Sequence, residues 1–282
     1  MPKLIAQHNN GVLMDTARSR AAAARLIRRV KATAYAVVEQ LRRGEFSISG
    51  TETEFGIGKR YPELILELPG GGRYILSGRI DRIDSCTSDS GEKFVRVIDY
   101  KSESGSAFDC ADIADGKRLQ LPLYIAAIEA AGAAERAAGM YYLPVHEGII
   151  NSSGKEDDFG TRILKEFRLR GACLNDAKLI ELGGGEDVQP TARSGWRLSE
   201  EQLKGTVSFA VDKARQTACK IAKGHAEAYP LMSKENKTEC KWCDYNSVCG
   251  FDATLPCCKY RRASIIKKDD FLEEVSHAQL DR

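Results

Sequence analysis

The run VRVIDYKS, residues 95–102, alternates apolar and polar side chains. In a strand such alternation places Val95, Val97, Asp99 and Lys101 on one face. A carboxylate and an ammonium then point the same way, about 7 Å apart at ~3.3 Å per residue. The preceding run LSGRIDRID also alternates, and the connecting SCTSDSGEK is rich in turn formers, so the two runs predict a β-hairpin. With its turn centred near Ser90, Asp81 lies opposite Asp99, where facing Cβ atoms are about 5 Å apart.

Two carboxylates this close repel as anions unless one is protonated or a cation sits between them. Mg²⁺ and Mn²⁺ are held by one or two carboxylates plus water, which leaves positions for phosphate oxygens. A cation held there would polarise a phosphoryl group and acidify a water. Lys101, two residues beyond Asp99, would orient that water or stabilise charge building on the phosphate. In isolation the same residues also fit a solvated surface ion pair worth only ~0–1 kcal/mol.

Several elements must position this patch. FSISGTETEFGIG reads as a strand with Glu52 and Glu54 on one face. ELILELPGGGRYILSGRID reads as a hairpin turning at Pro69 to Gly72, extending the antiparallel sheet under the acidic groups. A loop, ESGSAFDCADIADG, leads to a helix predicted from about Lys117 to Ala131. There Gln120 and Tyr124, spaced i, i+4, lie one above the other, and Pro122 falls in the first turns, where its missing N–H is tolerated. Ala138 to Val145 fits a buried strand after a crossover helix.

Upstream, Thr16 to Arg43 has helical periodicity, with Leu26, Ile27, Val30, Ala34, Val37, Val38 and Leu41 predicted to pack and six basic residues crowding its N-terminal half. That basic face fits a solvated surface or a phosphate-backbone track. Downstream, His146 to Asp158 is polar and turn-rich. EFRLRGACLND reads as strand and turn, and ELGGGEDVQPTARSG as a flexible excursion. Ser199 begins a helix that runs to about Gly224. His146 and His225 have no partner spacing that suggests a metal or catalytic dyad.

The chain has 282 residues and a net charge of +2, so nucleic-acid contact must come from local patches. No apolar run approaches the ~18 residues of a membrane span and no signal peptide precedes the first helix, which points to a cytoplasmic setting. Nine cysteines with one tight cluster suggest metal ligation before disulfides. In TECKWCDYNSVCGFD, Cys240 and Cys243 at C-x2-C spacing can wrap one tetrahedral centre, with Cys249 closing over it. Zinc is one candidate, since Cys257 or Cys258 could supply a fourth thiolate; buried free thiols are another. There is no G-x4-G-K-[ST] phosphate loop for ATP.

The order GRIDRID, IDYKS, LQLPLY, GMYYLP and C-x2-C-x5-C resembles the RecB-like branch of the PD-(D/E)XK nuclease superfamily, and within it the C-terminal nuclease domain of AddB proteins of helicase–nucleases. The similarity runs from about Asn10 to Asp252. It implies an α/β fold, a mixed sheet flanked by helices with a C-terminal cysteine cluster. It also implies Mg²⁺-dependent (or Mn²⁺-dependent) DNA hydrolysis in double-strand break repair, beside an AddA-like subunit. The implied catalytic set is Asp81, Asp99, Lys101, Gln120 and Tyr124. Asp81, Asp99 and the Tyr100 backbone carbonyl would bind metal, and Glu52 or Glu54, depending on register, matches a further acidic position; of the two, Glu52 is assigned to the metal. Cys240, Cys243 and Cys249 would hold a [4Fe–4S] cluster with one cysteine far upstream. The family's early histidine and first cluster cysteine have no counterpart here: His8 lies outside any matching motif, and the first cysteine is Cys86. The chain is therefore expected to be the C-terminal part of a longer protein. A non-catalytic DNA-binding scaffold is the alternative. The expected organisation is a basic helix (1–45), a nuclease core (46–230), a cysteine segment (231–255) and a C-terminal tail (256–282).

Overall fold

The computed structural model describes residues 2–102, 108–132, 135–146, 159–193 and 196–280. The loop expected after Ser102, the turn-rich stretch expected up to Asp158 and the Ser194–Gly195 end of the expected excursion lie partly or wholly outside these residues. Helices α1 (Pro2–Gln7) and α2 (Ala17–Arg43) lead into strand β1 (Ser47–Phe55), hairpin β2 (Leu64–Glu67) and β3 (Arg73–Leu76), then β4 (Gly78–Thr87) and β5 (Lys93–Lys101). Next come α3 (Cys110–Ala114), α4 (Gln120–Ala130), β6 (Glu135–Pro144), α5 (Phe159–Glu166), β7 (Arg170–Leu174), α6 (Ala177–Leu182), β8 (Trp196–Leu198) and α7 (Glu200–Ala222). Short β9 (Leu231–Met232), α8 (Asn246–Cys249) and β10 (Arg261–Arg262) precede α9 (Lys268–Leu280).

One mixed sheet of six strands, in the order β1-β4-β5-β6-β7-β8, organises the molecule. β1, β4 and β5 run antiparallel, β6 joins β5 in parallel, and β7 is antiparallel to β6. The predicted hairpin has the predicted register: Arg82 pairs with Ile98 and Thr87 with Lys93, symmetrically about Ser90. On one face Ile83, Val97, Met140 and Leu174 pack with Ile125 of α4, Val207 of α7 and Phe271 of α9. On the other, Ile98, Tyr141 and Leu143 pack with Ala36 of α2 and Leu164 of α5. This is the expected mixed sheet between helices.

Three expectations change. The β2–β3 hairpin forms its own two-stranded sheet instead of extending the main one. In α2 the buried stripe is Ala23, Thr33, Ala36 and Gln40, while Leu26 and Val38 stand in solvent. Small side chains let the helix approach α5, and Gln40 Nε2 donates to the Phe167 carbonyl at 2.8 Å. The excursion expected after α6 is pinned: Val188 is buried, and Gln189 accepts from Tyr141 Oη at 2.8 Å and donates to the Ile180 carbonyl at 2.9 Å. A buried amide with its hydrogen bonds met can hold a loop that composition alone marks as free.

The expected C-terminal tail also contributes to the core. Phe271, Leu272 and Val275 of α9 are buried, with the Phe271 ring 5.3 Å from Phe209 and 6.0 Å from Trp196. The α7–α9 crossing depends on Gly205, where a Cβ would stand 2.3 Å from the Val275 carbonyl oxygen. Gly205→Ala is therefore expected to destabilise the protein by about 1–3 kcal/mol through overpacking, despite alanine's better helix propensity. Urea denaturation with hydrogen exchange in α9 checks it. Unchanged stability and protection would mean that α9 does not seat here.

Candidate active site

β4 and β5 carry the acidic groups side by side. Continuing the β4–β5 pairing by one residue sets Asp81 level with Asp99, and Asp81 Oδ2 accepts from the Tyr100 backbone N–H at 3.0 Å. On the outer side, Thr51↔Arg82 and Thr53↔Ile80 bracket Glu52 against Asp81. On the inner side, Asp99 pairs with Tyr142 of β6. Glu52, Asp81, Asp99 and Tyr142 thus form a row across four strands spaced ~4.8 Å apart.

Asp99 is buried. Lys101 Nζ lies 2.6 Å from its Oδ2, so an ammonium compensates the buried carboxylate. Burial pushes the Asp99 carboxyl up, Lys101 pulls it back, and the Asp81 charge raises it further. An anionic oxygen in that position calls for a cation, which the ammonium supplies. Asp81 and Asp99 fit a site of two carboxylates and water. Among the described residues no set of three or more His, Cys, Asp or Glu side chains converges on a metal position.

Helix α4 covers this row from above. Lys101 Nζ donates to Gln120 Oε1 at 3.2 Å, and Gln120 Nε2 donates to Tyr124 Oη at 2.5 Å. The i, i+4 spacing makes the second contact possible. Burial pushes the Tyr124 phenol up, the Gln120 hydrogen bond pulls it back, and the charges of Asp99, Asp81 and Glu52 raise it further. Asp81, Asp99, Lys101, Gln120 and Tyr124 are therefore brought together.

Glu52 stands at the margin. Its φ of 48° departs from the extended strand, and its exposed carboxylate pairs with Arg79 at 3.0 Å. Glu54, the other acid considered, pairs instead with Lys59 at 2.5 Å.

Two residues at the site escaped the sequence reading. Burial pushes the Tyr142 phenol up to about 12. Lys101 Nζ lies 5.5 Å and Arg118 Cζ 5.9 Å from the Tyr142 ring centroid, within cation–π range. Arg118 also pairs with Asp112 at 2.9 Å. GMYYLP marked the strand, but only its parallel register against β5 selects Tyr142 over Tyr141.

Cys240 lies in a 3-10 turn, Cys243 just beyond it and Cys249 at the end of α8; the last two are exposed. Cys240 Sγ accepts from Thr238 Oγ1 at 3.3 Å, and no described set of three thiols converges. Cys257 and Cys258 approach each other at 3.9 Å. Cys86 lies in the core, where burial pushes its thiol up to about 11.

A family profile described as the PD-(D/E)XK nuclease superfamily matches residues 3–250. An ATP-dependent helicase/deoxyribonuclease component of Alkaliphilus metalliredigens (strain QYMF) is 26% identical, over 97% of this chain and 25% of that protein. The proteins of the same name from Moorella thermoacetica and Acetivibrio thermocellus are 34% and 30% identical, each over 82% of this chain and 22% of theirs. The chain thus spans about a quarter of the length of these curated relatives. Among the described residues no helix is long and apolar enough to cross a membrane.

Proposed function

This chain belongs to the PD-(D/E)XK nuclease superfamily, and on that footing we propose that it hydrolyses DNA phosphodiesters with a divalent metal ion. It would act as the exonuclease-type module of a helicase–nuclease in double-strand break repair and recombination, beside an AddA-like subunit. The observation that carries the chemistry is the buried Asp99 carboxylate, level with Asp81 and paired with the Lys101 ammonium at 2.6 Å.

Asp81 and Asp99 would hold Mg²⁺ or Mn²⁺, with the Tyr100 carbonyl and Glu52 as further ligands. The bound ion supplies Lewis-acid polarisation of the phosphoryl group and a water acidified to a nucleophile. The chain's own residues do the rest. Lys101 lies beside Asp99, where it can orient the attacking water or stabilise charge on a non-bridging phosphate oxygen. Gln120 fixes the ammonium through its Oε1, and Tyr124 fixes Gln120 in turn. These two are positioning residues, since they act through Lys101.

The test is incubation of the purified chain with end-labelled linear single-stranded DNA and Mg²⁺, with chelator and Lys101→Ala controls. Cleavage that needs the metal, and falls at least about a hundredfold in the variant, is expected. Binding without cleavage in Mg²⁺ and Mn²⁺ would sink the enzymatic reading and favour a non-catalytic DNA-binding scaffold.

A further inference from the structure

Beside the acidic row, the end of β1 and the link between β3 and β4 enclose an open groove of about 540 Å³. Its walls include Ile57 and Ile75, which are 73% and 51% exposed. Ile65, paired with Ile75 across the small hairpin and also exposed, extends this apolar surface. Phe55 lines the groove as well, buried and edge-on to the Tyr124 ring at 6.1 Å. Tyr124 touches Gln120 and Gln120 touches Lys101, so the groove connects to the site through packed side chains.

Glycine backbone keeps the groove clear. A Cβ on Gly78 would stand 2.8 Å from the Phe55 ring, and Gly56, at φ +150°, would bring one to 3.1 Å from Ser77. At the rim, Arg79 and Lys59 pair with the exposed carboxylates of Glu52 and Glu54. Exposed pairs of this kind hold little energy, so a phosphate can exchange for either carboxylate. Arg79 precedes Asp81 by two residues on β4 and shares its face, about 7 Å away. That is close to one phosphate-to-phosphate step along a single strand.

We propose that this groove seats one unpaired nucleotide of the DNA strand next to the scissile phosphate. The base lies on Ile57, Ile75 and Phe55, and its phosphate meets Arg79 or Lys59. The proposal rests on the nuclease reading and adds a substrate preference to it. Single-strand sites combine a cationic track with apolar surfaces that accept any base face, and the walls here are apolar side chains and glycine backbone. A base stacked within a duplex offers no free face, so the groove favours unpaired ends without reading sequence. The rim cations and the shared face with Asp81 favour a nucleic acid over a protein partner.

The test is fluorescence anisotropy in chelator, so that nothing is cut, with labelled oligothymidylate and an abasic strand of equal length. Ile57→Ser/Ile75→Ser is expected to bind oligothymidylate about tenfold more weakly than the parent, with equal affinity of both proteins for the abasic strand. Thermal melting checks its fold; if it melts lower, the single Ile57→Ser variant replaces it and must show the same selective loss. Undiminished oligothymidylate affinity, or equal losses on both strands, overturns the seat and leaves the apolar face to a protein partner. A parent chain that binds neither strand overturns it too. The nuclease reading stands or falls separately, on cleavage in Mg²⁺.

Discussion

Asp99→Asn is expected to reduce metal-dependent DNA cleavage by about a thousandfold or more while leaving the fold at least as stable as before. The two effects share one cause. Asp99 is buried beside Asp81, and burial pushes its carboxyl up, so the folded chain holds this charge at a cost. An amide of equal size removes the charge and the repulsion together. Lys101, about one third exposed, stays solvated without its partner. Stability surrendered at a site in exchange for function is the usual pattern of such trade-offs. The measurements are cleavage of end-labelled single strands in Mg²⁺ and urea denaturation of the same preparations. A variant that cuts like the parent would remove Asp99 from the chemistry. One that loses more than ~1 kcal/mol of stability would mark Asp99–Lys101 as a structural ion pair.

The second large effect lies on the opposite face of the same hairpin. Arg82 grips Asp84 through Nε at 2.6 Å and Nη2 at 2.8 Å, and Arg96 Nε reaches the same carboxylate at 3.0 Å. Arg82 and Asp84 are fully buried and Arg96 nearly so, with the Arg96 guanidinium 4.4 Å above the Phe46 ring. Two buried cations share one carboxylate. Burial works against the Arg82 charge; the hydrogen bonds and charge of Asp84 outweigh it and keep its pKa above the ordinary value. Asp84→Ala would leave both guanidinium groups uncompensated and is expected to cost roughly 3–5 kcal/mol. Replacing all three by apolar residues, Arg82→Met/Asp84→Leu/Arg96→Met, is expected to be near neutral or stabilising. Urea denaturation decides both. A loss below ~1 kcal/mol in Asp84→Ala would show that water reaches the guanidinium groups from the α2 side. The triad sits on β4 and β5 beneath the row that holds Asp81 and Asp99, and it ties together the two strands whose register sets those carboxylates level.

Local order determined much of the site in advance. Period-two runs on either side of Ser90 make residues that sum to the same register face each other, so the partnership of Asp81 with Asp99 follows from the hairpin alone. The contact of Gln120 with Tyr124 needs only a helical turn, and the start of α7 needs only Ser199 with Gln202 three residues later. These relations depend on neighbours within one hairpin or one helix.

Tertiary structure decided the rest. Which strand lies in parallel beside β5, and in which register, selects Tyr142 to flank Asp99 and brings Arg118 over its ring. The placement of α4 over the sheet turns a helical Gln–Tyr pair into a brace for Lys101. Burial by distant partners likewise sends α9 into the core, anchors Gln189, and turns Leu26 and Val38 of α2 outward. Periodicity and capping act over a few residues and can be read along the chain. Pairing between segments tens of residues apart is chosen by the total apolar surface buried and polar groups satisfied, a sum that exists only in the assembled fold.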